Sequence, residues 1–240
     1  MRLHIVIVAL SLLCANFRAE ASNAGQATAA VDKHGAEAAE KIWSDLIAGN
    51  RRFVEGKAQV REVIKTREEL VGGQQPKVIV LGCADSRVSP ELVFDKNLGE
   101  LFVVRTAGNI ADKVALGSIE YAAEHLHCSV LLVLGHEKCG AVGAAASGEK
   151  MPSKNLEAIV ERIEPALKRP RKAGLTGDML VALGVETNLH QSVRDILKES
   201  EILRKAHASG ELTIVKAVYK LATGEVARVS DESATAAEKK

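Results

Sequence analysis

The chain has 240 residues, with 32 Lys and Arg against 31 Asp and Glu, for a formal net charge of +1. That balance leaves no basic footprint for nucleic acid and no acidic tail, and four Phe, two Tyr and one Trp are too few for base-stacking or sugar platforms. Hydrophobic content of 47% with 26% charged residues excludes global disorder.

Residues 1–21 (MRLHIVIVALSLLCANFRAEA) combine a basic start at Arg2, an apolar run from Ile5 to Cys14 and the small-residue frame Ala19-Glu20-Ala21. This layout predicts a secretory signal peptide cleaved after Ala21, hence an exported, periplasmic protein. The apolar run is too short to cross a bilayer, which takes about 20 residues, and no later stretch is long and apolar enough, so the mature protein is expected to have no membrane span. Leu13 stands before Cys14 where a lipid-anchored protein would carry a small residue. Cleavage removes Arg2, Arg18 and Glu20, leaving 30 charges of each sign. Residues 22–37 are small, polar and without pattern and read as a flexible linker. Residues 230–240 read as a disordered tail, which leaves a folded domain over 38–229.

Within that domain, Ala38–Gly56 places Ile42, Leu46 and Phe53 near helical spacing, with a break expected at Gly49-Asn50. A short helix is expected over Arg61–Val71. Lys77–Gly82, Leu101–Val104 and Ser129–Gly135 are continuous apolar runs, which suit strands of a parallel sheet covered on both faces. Asp112–His127 reads as a crossover helix between the second and third. Long helical patterns follow at Asn155–Lys172, interrupted by Pro165, and at Gly177–Ala208. Glu211–Leu221 alternates as a late strand, and Thr223-Gly224 turns it into a short strand over Glu225–Val229. The expected fold class is α/β, a mostly parallel central sheet flanked by helices.

Four cysteines occur, at 14, 83, 128 and 139; without Cys14 the remaining three do not balance as a disulfide framework. Cys83 follows the strand VIVLG, His136 follows the strand LLVLG, and Cys139 lies three residues on. In an open parallel sheet, ligands bind outside the carboxyl ends of the strands, so both strand ends deliver ligands to one edge. Two thiolates and one imidazole with a fourth position open form a catalytic-type zinc set. Asp85, beside Arg87, is either an acid held ionised within reach of that ion or half of a surface ion pair capping the next helix. Glu124-His125-Leu126-His127-Cys128 imitates a metal cluster, but it falls where a helix ends and a buried strand begins. Gly143–Lys150 nearly matches a phosphate loop, yet Glu149 separates the final Gly from Lys.

Gly-Cys-Ala-Asp-Ser-Arg-Val (82–88), Val-Arg-Thr-Ala-Gly-Asn (104–109) and Gly-His-Glu-Lys-Cys-Gly-Ala-Val (135–142) together resemble the β-class carbonic anhydrases, here a bacterial, exported one. The similarity runs from Gly49-Asn50-Arg51-Arg52-Phe53 to Thr223-Gly224-Glu225. It implies one Zn²⁺ per chain on Cys83, His136 and Cys139. The activity implied is reversible hydration of carbon dioxide to bicarbonate and a proton by zinc-bound hydroxide. Asp85 would ligate the ion or orient its water, with Arg87 steering it, and Gln74, Phe102 and Tyr121 would line the substrate pocket.

Val80 stands where an inhibitory bicarbonate pocket would carry Trp, so that regulation is not expected; Thr106 replaces a common Asn. The family forms homodimers or dimers of dimers, with pocket residues from both protomers. The Ala38–Phe53 helix, with Trp43, is then either an N-terminal arm lying across the partner or a cap on its own core. Two other functions fit the same residues: hydrolysis of carbon disulfide or carbonyl sulfide, and a non-catalytic zinc-stabilised bicarbonate- or partner-binding protein. A structural zinc site has no need of Asp85, Arg87 and Gln74, which weighs against the last. In an oxidising compartment, metal-free protein could close a Cys83–Cys139 disulfide.

Overall fold

The computed structural model describes residues 35–230. The expected signal peptide, Cys14, most of the expected linker and the expected tail beyond Ser230 lie outside the described residues. Helix α1 (35–54) is followed by α2 (Val63–Glu69), strand β1 (Val78–Cys83), the short α3 (Pro90–Val93), β2 (Leu101–Thr106) and α4 (Lys113–Glu124). Then come β3 (Val130–His136), α5 (Gly140–Ser147), α6 (Lys154–Lys172), α7 (Gly177–Glu199), α8 (Glu201–Ala208), β4 (Thr213–Tyr219) and β5 (Val226–Arg228).

The five strands form one sheet in the order β2-β1-β3-β4-β5. The first four are mutually parallel, and β5 returns antiparallel on β4. Strands β1 and β3 are buried along their whole length, as their uniformly apolar composition requires. One face is covered by α1 and the α3 turn, which place Ala39, Leu46, Val93 and Phe94 against Val78, Val80, Leu132, Leu134 and Val215. The other is covered by α4, α7 and α8 through Leu116, Ile119, Leu189, Ile196 and Leu203. A third cluster, from α5, α6 and α7, closes over the carboxyl edge of the sheet and includes Cys83 and Cys139.

Three local expectations change. Helix α1 runs unbroken through Gly49-Asn50. Gly49 is there because a Cβ at that position would fall 1.9 Å from the Phe94 carbonyl oxygen. The Asn50 amide donates to Val93 O (3.0 Å) and Gly224 O (2.8 Å) and accepts from the Val226 N–H (2.9 Å). Two residues that read locally as breakers are thus a tertiary contact point. Helix α6 continues through Pro165 and Pro170, its inner face held by the burial of Ile163, Ala166, Leu167 and Pro170. The pattern over Gly177–Ala208 divides at Ser200, whose Oγ accepts from Leu203 N (3.1 Å) to start α8 and donates to Glu120 (2.5 Å).

Helix α1 caps its own sheet. Ile42, Trp43 and Phe53 pack on the same cluster as Leu46, and Arg228 pairs with Glu40 at 2.5 Å while its guanidinium lies 5.8 Å from the Trp43 ring centre.

Candidate active site

The chain leaves β1 for β2 on one side and enters β3 on the other, so the gap between β1 and β3 is the point where strand order reverses, the usual ligand crevice of such sheets. Gly82 pairs with Leu134, which brings the ends of the two strands side by side. Cys83 ends β1, His136 ends β3, and Cys139 is the N-cap of α5 (φ −64°, ψ 119°). Their ligand atoms all lie within 4.8 Å of one another, and all three residues are buried.

The fit of this trio to a metal ion rests on two observations. Among the described residues, the one buried side-chain nitrogen or oxygen without a hydrogen-bond partner is His136 Nε2. The other ring nitrogen, Nδ1, is 2.8 Å from the Glu137 carbonyl, an acceptor that requires Nδ1–H and leaves the Nε2 lone pair facing the two sulfurs. The second observation is electrostatic. Cys83 and Cys139 Sγ are 4.0 Å apart. The hydrogen bond with Cys139 pulls Cys83 below the ordinary thiol range, while the same contact and burial push Cys139 above it. One proton is shared because two thiolates at this distance repel; a divalent cation between them is what allows both to ionise. Two sulfurs and an imidazole nitrogen suit Zn²⁺.

The turn after β1 is fixed from several sides. Arg105 on β2 donates from Nε to Cys83 O (2.8 Å) and from Nη2 to Asp85 O (2.5 Å), clamping the turn by its carbonyls. Asp85 Oδ1 accepts from the Arg87 N–H (3.0 Å) and Nε (2.9 Å), and Oδ2 accepts from Arg87 Nη2 (2.7 Å). The Arg87 guanidinium holds the Asp85 carboxyl well below the usual carboxylate range. Asp85 Oδ2 also stands 3.8 Å from His136 Nε2. Asp85 is thus at once half of a partly exposed ion pair with Arg87 and an acid beside the ligand set.

Gln74, Phe102 and Tyr121 are elsewhere in the chain. Phe102 pairs with Ile79, four residues back along β1 from Cys83, a distance of roughly 13 Å. Tyr121, half exposed on α4, has its ring centre 6.3 Å from that of Phe102. Gln74 is exposed in the connection preceding β1. Phe102 and Tyr121 are brought together, but away from Cys83. The Glu124–Cys128 segment gathers no ligands: among the described residues the one group placed so that it could hold a metal is Cys83, His136 and Cys139. Cys128 Sγ donates to Pro76 O (3.2 Å), and burial pushes it up to about 11.

Against known proteins, residues 78–226 match the family model for carbonic anhydrase. Carbonic anhydrase 2 of Mycobacterium tuberculosis is 39% identical over 186 residues, covering 76% of this chain and 88% of that protein. The structure of a Coccomyxa β-carbonic anhydrase in complex with acetazolamide superposes with a TM-score of 0.63 at 27% identity, covering 83% of this chain and 89% of that one.

The chain belongs to the β-class carbonic anhydrases. A carbonic anhydrase of Mycolicibacterium smegmatis is 40% identical over 189 residues, covering 77% of this chain and 90% of that protein.

Sequence reasoning about this carbonic anhydrase missed several groups that shape the site. Arg105, Gly108 and Asn109 lie in a motif that marks the family, yet nothing in the motif says what they touch. Asn188 and Ser192, 1% and 2% exposed on α7, offered a signal: two polar residues one turn apart within the apolar stripe Val185, Leu189, Ile196.

Proposed function

We propose that the protein is a zinc-dependent carbonic anhydrase that interconverts carbon dioxide and bicarbonate at the Cys83–His136–Cys139 centre. The observation that carries this is the convergence of two thiols and an unpartnered imidazole nitrogen at the β1/β3 switch point, with an Arg-held carboxylate 3.8 Å from that nitrogen. Cys83, His136 and Cys139 would hold the ion, which when bound supplies a Lewis acid able to lower the pKa of water from about 15.7 towards about 7.

The protein's own groups do the rest. Asp85 stays ionised and offers an acceptor to a water proton beside the ligand set, while Arg87 occupies its two oxygens and keeps it from swinging further inward. Arg105 holds the Cys83–Asp85 turn so that sulfur and carboxylate keep their spacing. The glutamate carbonyl at position 137 fixes the His136 tautomer.

Assembly completes the pocket. The outer edge of β2 pairs with no strand among the described residues, and Leu98, Val114 and Tyr121 are exposed near it. Two β2 edges meeting antiparallel across a twofold axis would set the Phe102 end of one chain beside the Thr106 end of the other, and Thr106 is the in-register neighbour of Cys83. A homodimer, or a dimer of dimers, would thereby bring the partner's Gln74, Phe102 and Tyr121 to this chain's Cys83. Export to the periplasm is supported by the sequence of residues 1–21, and the mass of the mature N-terminus would test it.

The experiment is stopped-flow carbon dioxide hydration on protein of measured zinc content, beside Asp85→Ala. Fast hydration near one zinc per chain, lost in the variant, is expected. Full zinc with no hydration would redirect the assay to carbon disulfide and carbonyl sulfide, and absence of bound zinc would overturn the reading.

A further inference from the structure

Behind the ligand set, a buried polar network runs from α7 to the Cys83 sulfur. Gly108 donates its N–H to Cys83 Sγ at 3.3 Å. It holds φ 72° and ψ 24°, and a Cβ there would stand 2.7 Å from Ile163 Cδ1 and 3.1 Å from Ala141 Cβ, so neither conformation nor space admits a side chain. The next residue, Asn109, is also left-handed at φ 47°. Glycine takes that conformation freely, but for Asn109 it costs energy and persists only where neighbours over-determine it.

The neighbours are on α7. Asn188 Nδ2 donates to Gly108 O at 2.8 Å. Asn109 Nδ2 donates to Ser192 Oγ at 3.2 Å, and Ser192 Oγ donates back to Asn109 O at 3.0 Å. From the other side, Thr106 Oγ1 closes the loop onto Ile110 O at 2.8 Å. Asn188 and Ser192 lie four apart, so they project from one face of α7, and neither reaches the ligand set.

We propose that Asn188 and Ser192 are positioning residues that hold the 106–110 loop so that the Gly108 N–H caps Cys83 Sγ, and that this bond limits the charge Cys83 gives to the metal. An N–H donated to a thiolate draws density off the sulfur and leaves the bound cation more electrophilic. The effect matters at this site because two thiolates otherwise neutralise a divalent ion. Asn188 acts through the Gly108 carbonyl, Ser192 through both ends of Asn109. The proposal rests on the metal-centre reading given above.

The test uses full-length protein loaded with Co²⁺, in wild type, Asn188→Ala and Ser192→Ala. Loss of the cap raises the energy of the sulfur lone pair. The thiolate-to-cobalt charge-transfer band should therefore move to longer wavelength, and the midpoint of the pH profile for carbon dioxide hydration by the zinc form should move to higher pH. Metal affinity in chelator competition should change by about 10-fold or more, as for other groups that orient metal ligands. If Asn188→Ala does not fold, Ser192→Ala, which keeps the Gly108 anchor, should show a smaller shift of the same sign. Variants that bind cobalt, lose thermal stability and leave band and midpoint unmoved would overturn the proposal and leave the network structural. Wild-type protein that bound no cobalt would instead bring down the metal reading and the proposal together.

Discussion

Arg87 grips Asp85 by both carboxylate oxygens, with Nε 2.9 Å from Oδ1 and Nη2 2.7 Å from Oδ2. The pair turns one oxygen of Asp85 towards His136 Nε2, 3.8 Å away, without letting it join the trio. Arg87→Ala should release the carboxylate, let its pKa climb back towards the ordinary value of about 3.9, and leave it free to compete for the metal's open position. Carbon dioxide hydration should fall about 100-fold at unchanged zinc content. Arg87→Lys should recover little, since an ammonium cannot match two oxygens at once. Stopped-flow rates normalised to zinc decide it; an Arg87→Ala enzyme with wild-type rates would show that the clamp is ornamental.

The separation of Gln74 and Phe102 from Cys83 within one chain allows a test of subunit sharing. Gln74→Ala should lower kcat/KM about 100-fold if its amide donates to the developing bicarbonate, and Cys83→Ser should abolish turnover. Mixed oligomers of the two variants should regain activity, because a Gln74→Ala chain keeps its Cys83 and receives Gln74 from the Cys83→Ser partner. If each pocket were built from a single chain, mixing would restore nothing.

Gly49→Ala probes the contact that α1 makes with the α3 turn. A Cβ at 1.9 Å from Phe94 O forces α1 off its seat, at a cost of about 2 kcal/mol and a fall of about 4–8 °C in Tm. A change within about 1 °C in a thermal melt would mean that the approach relaxes cheaply.

Asp95, 5% exposed and left-handed at φ 47°, accepts from Arg52 Nε (2.5 Å), Arg61 Nη2 (2.8 Å) and the Gln59 N–H (3.2 Å). Burial alone would raise its pKa, but the two guanidinium groups and the Gln59 amide outweigh that and lower it. The folded value thus lies below the unfolded value of about 3.9, so the contribution to stability is complete above that pH and disappears as pH falls through the folded value. Wild type should lose stability below about pH 4. Asp95→Asn should start weaker at neutral pH, by less than the roughly 3–5 kcal/mol of a fully buried pair because both arginines are partly exposed, and should fall less on acidification. Urea midpoints at neutral and acid pH for both proteins give the comparison; parallel loss would refute this role.

Chelated protein should oxidise. With Cys83 and Cys139 Sγ at 4.0 Å, a small disulfide such as oxidised glutathione can take two electrons and two protons from the pair, leaving one protein disulfide and two small thiols. Thiol titration under denaturant should show the loss of Cys83 and Cys139 while Cys128, buried and held to Pro76 O, persists. Zinc-loaded protein treated alike should lose neither, and equal thiol loss in the two forms would contradict the idea.

The strands, the crossover helix and the ligand trio were readable from sequence because each is a local pattern. Three apolar runs ended in Cys83, at the 101–104 segment and in His136, and parallel topology sends such ends to one edge. Where the reading failed, the cause was distant in the chain. Gly49-Asn50 reads as a break until Phe94 and Gly224 are placed against it. Ser200 reads as mid-helix until Glu120, 80 residues away, accepts its hydroxyl.

By itself, then, the order of residues determined the sheet, the edge where Cys83, His136 and Cys139 gather and the chemistry of that trio as a set that could hold a metal, since strand period, strand-end position and ligand chemistry are properties of short segments. Tertiary structure alone decided that α1 folds onto its own sheet, that Arg105 clamps the Cys83 turn, that Asn188 and Ser192 reach Gly108 across the core, and that Phe102 and Tyr121 lie far from the sulfurs of their own chain. Those facts depend on register and packing between segments far apart in sequence, and a hydrogen bond spanning 80 residues, such as Asn188 to Gly108, leaves no periodic trace in either one.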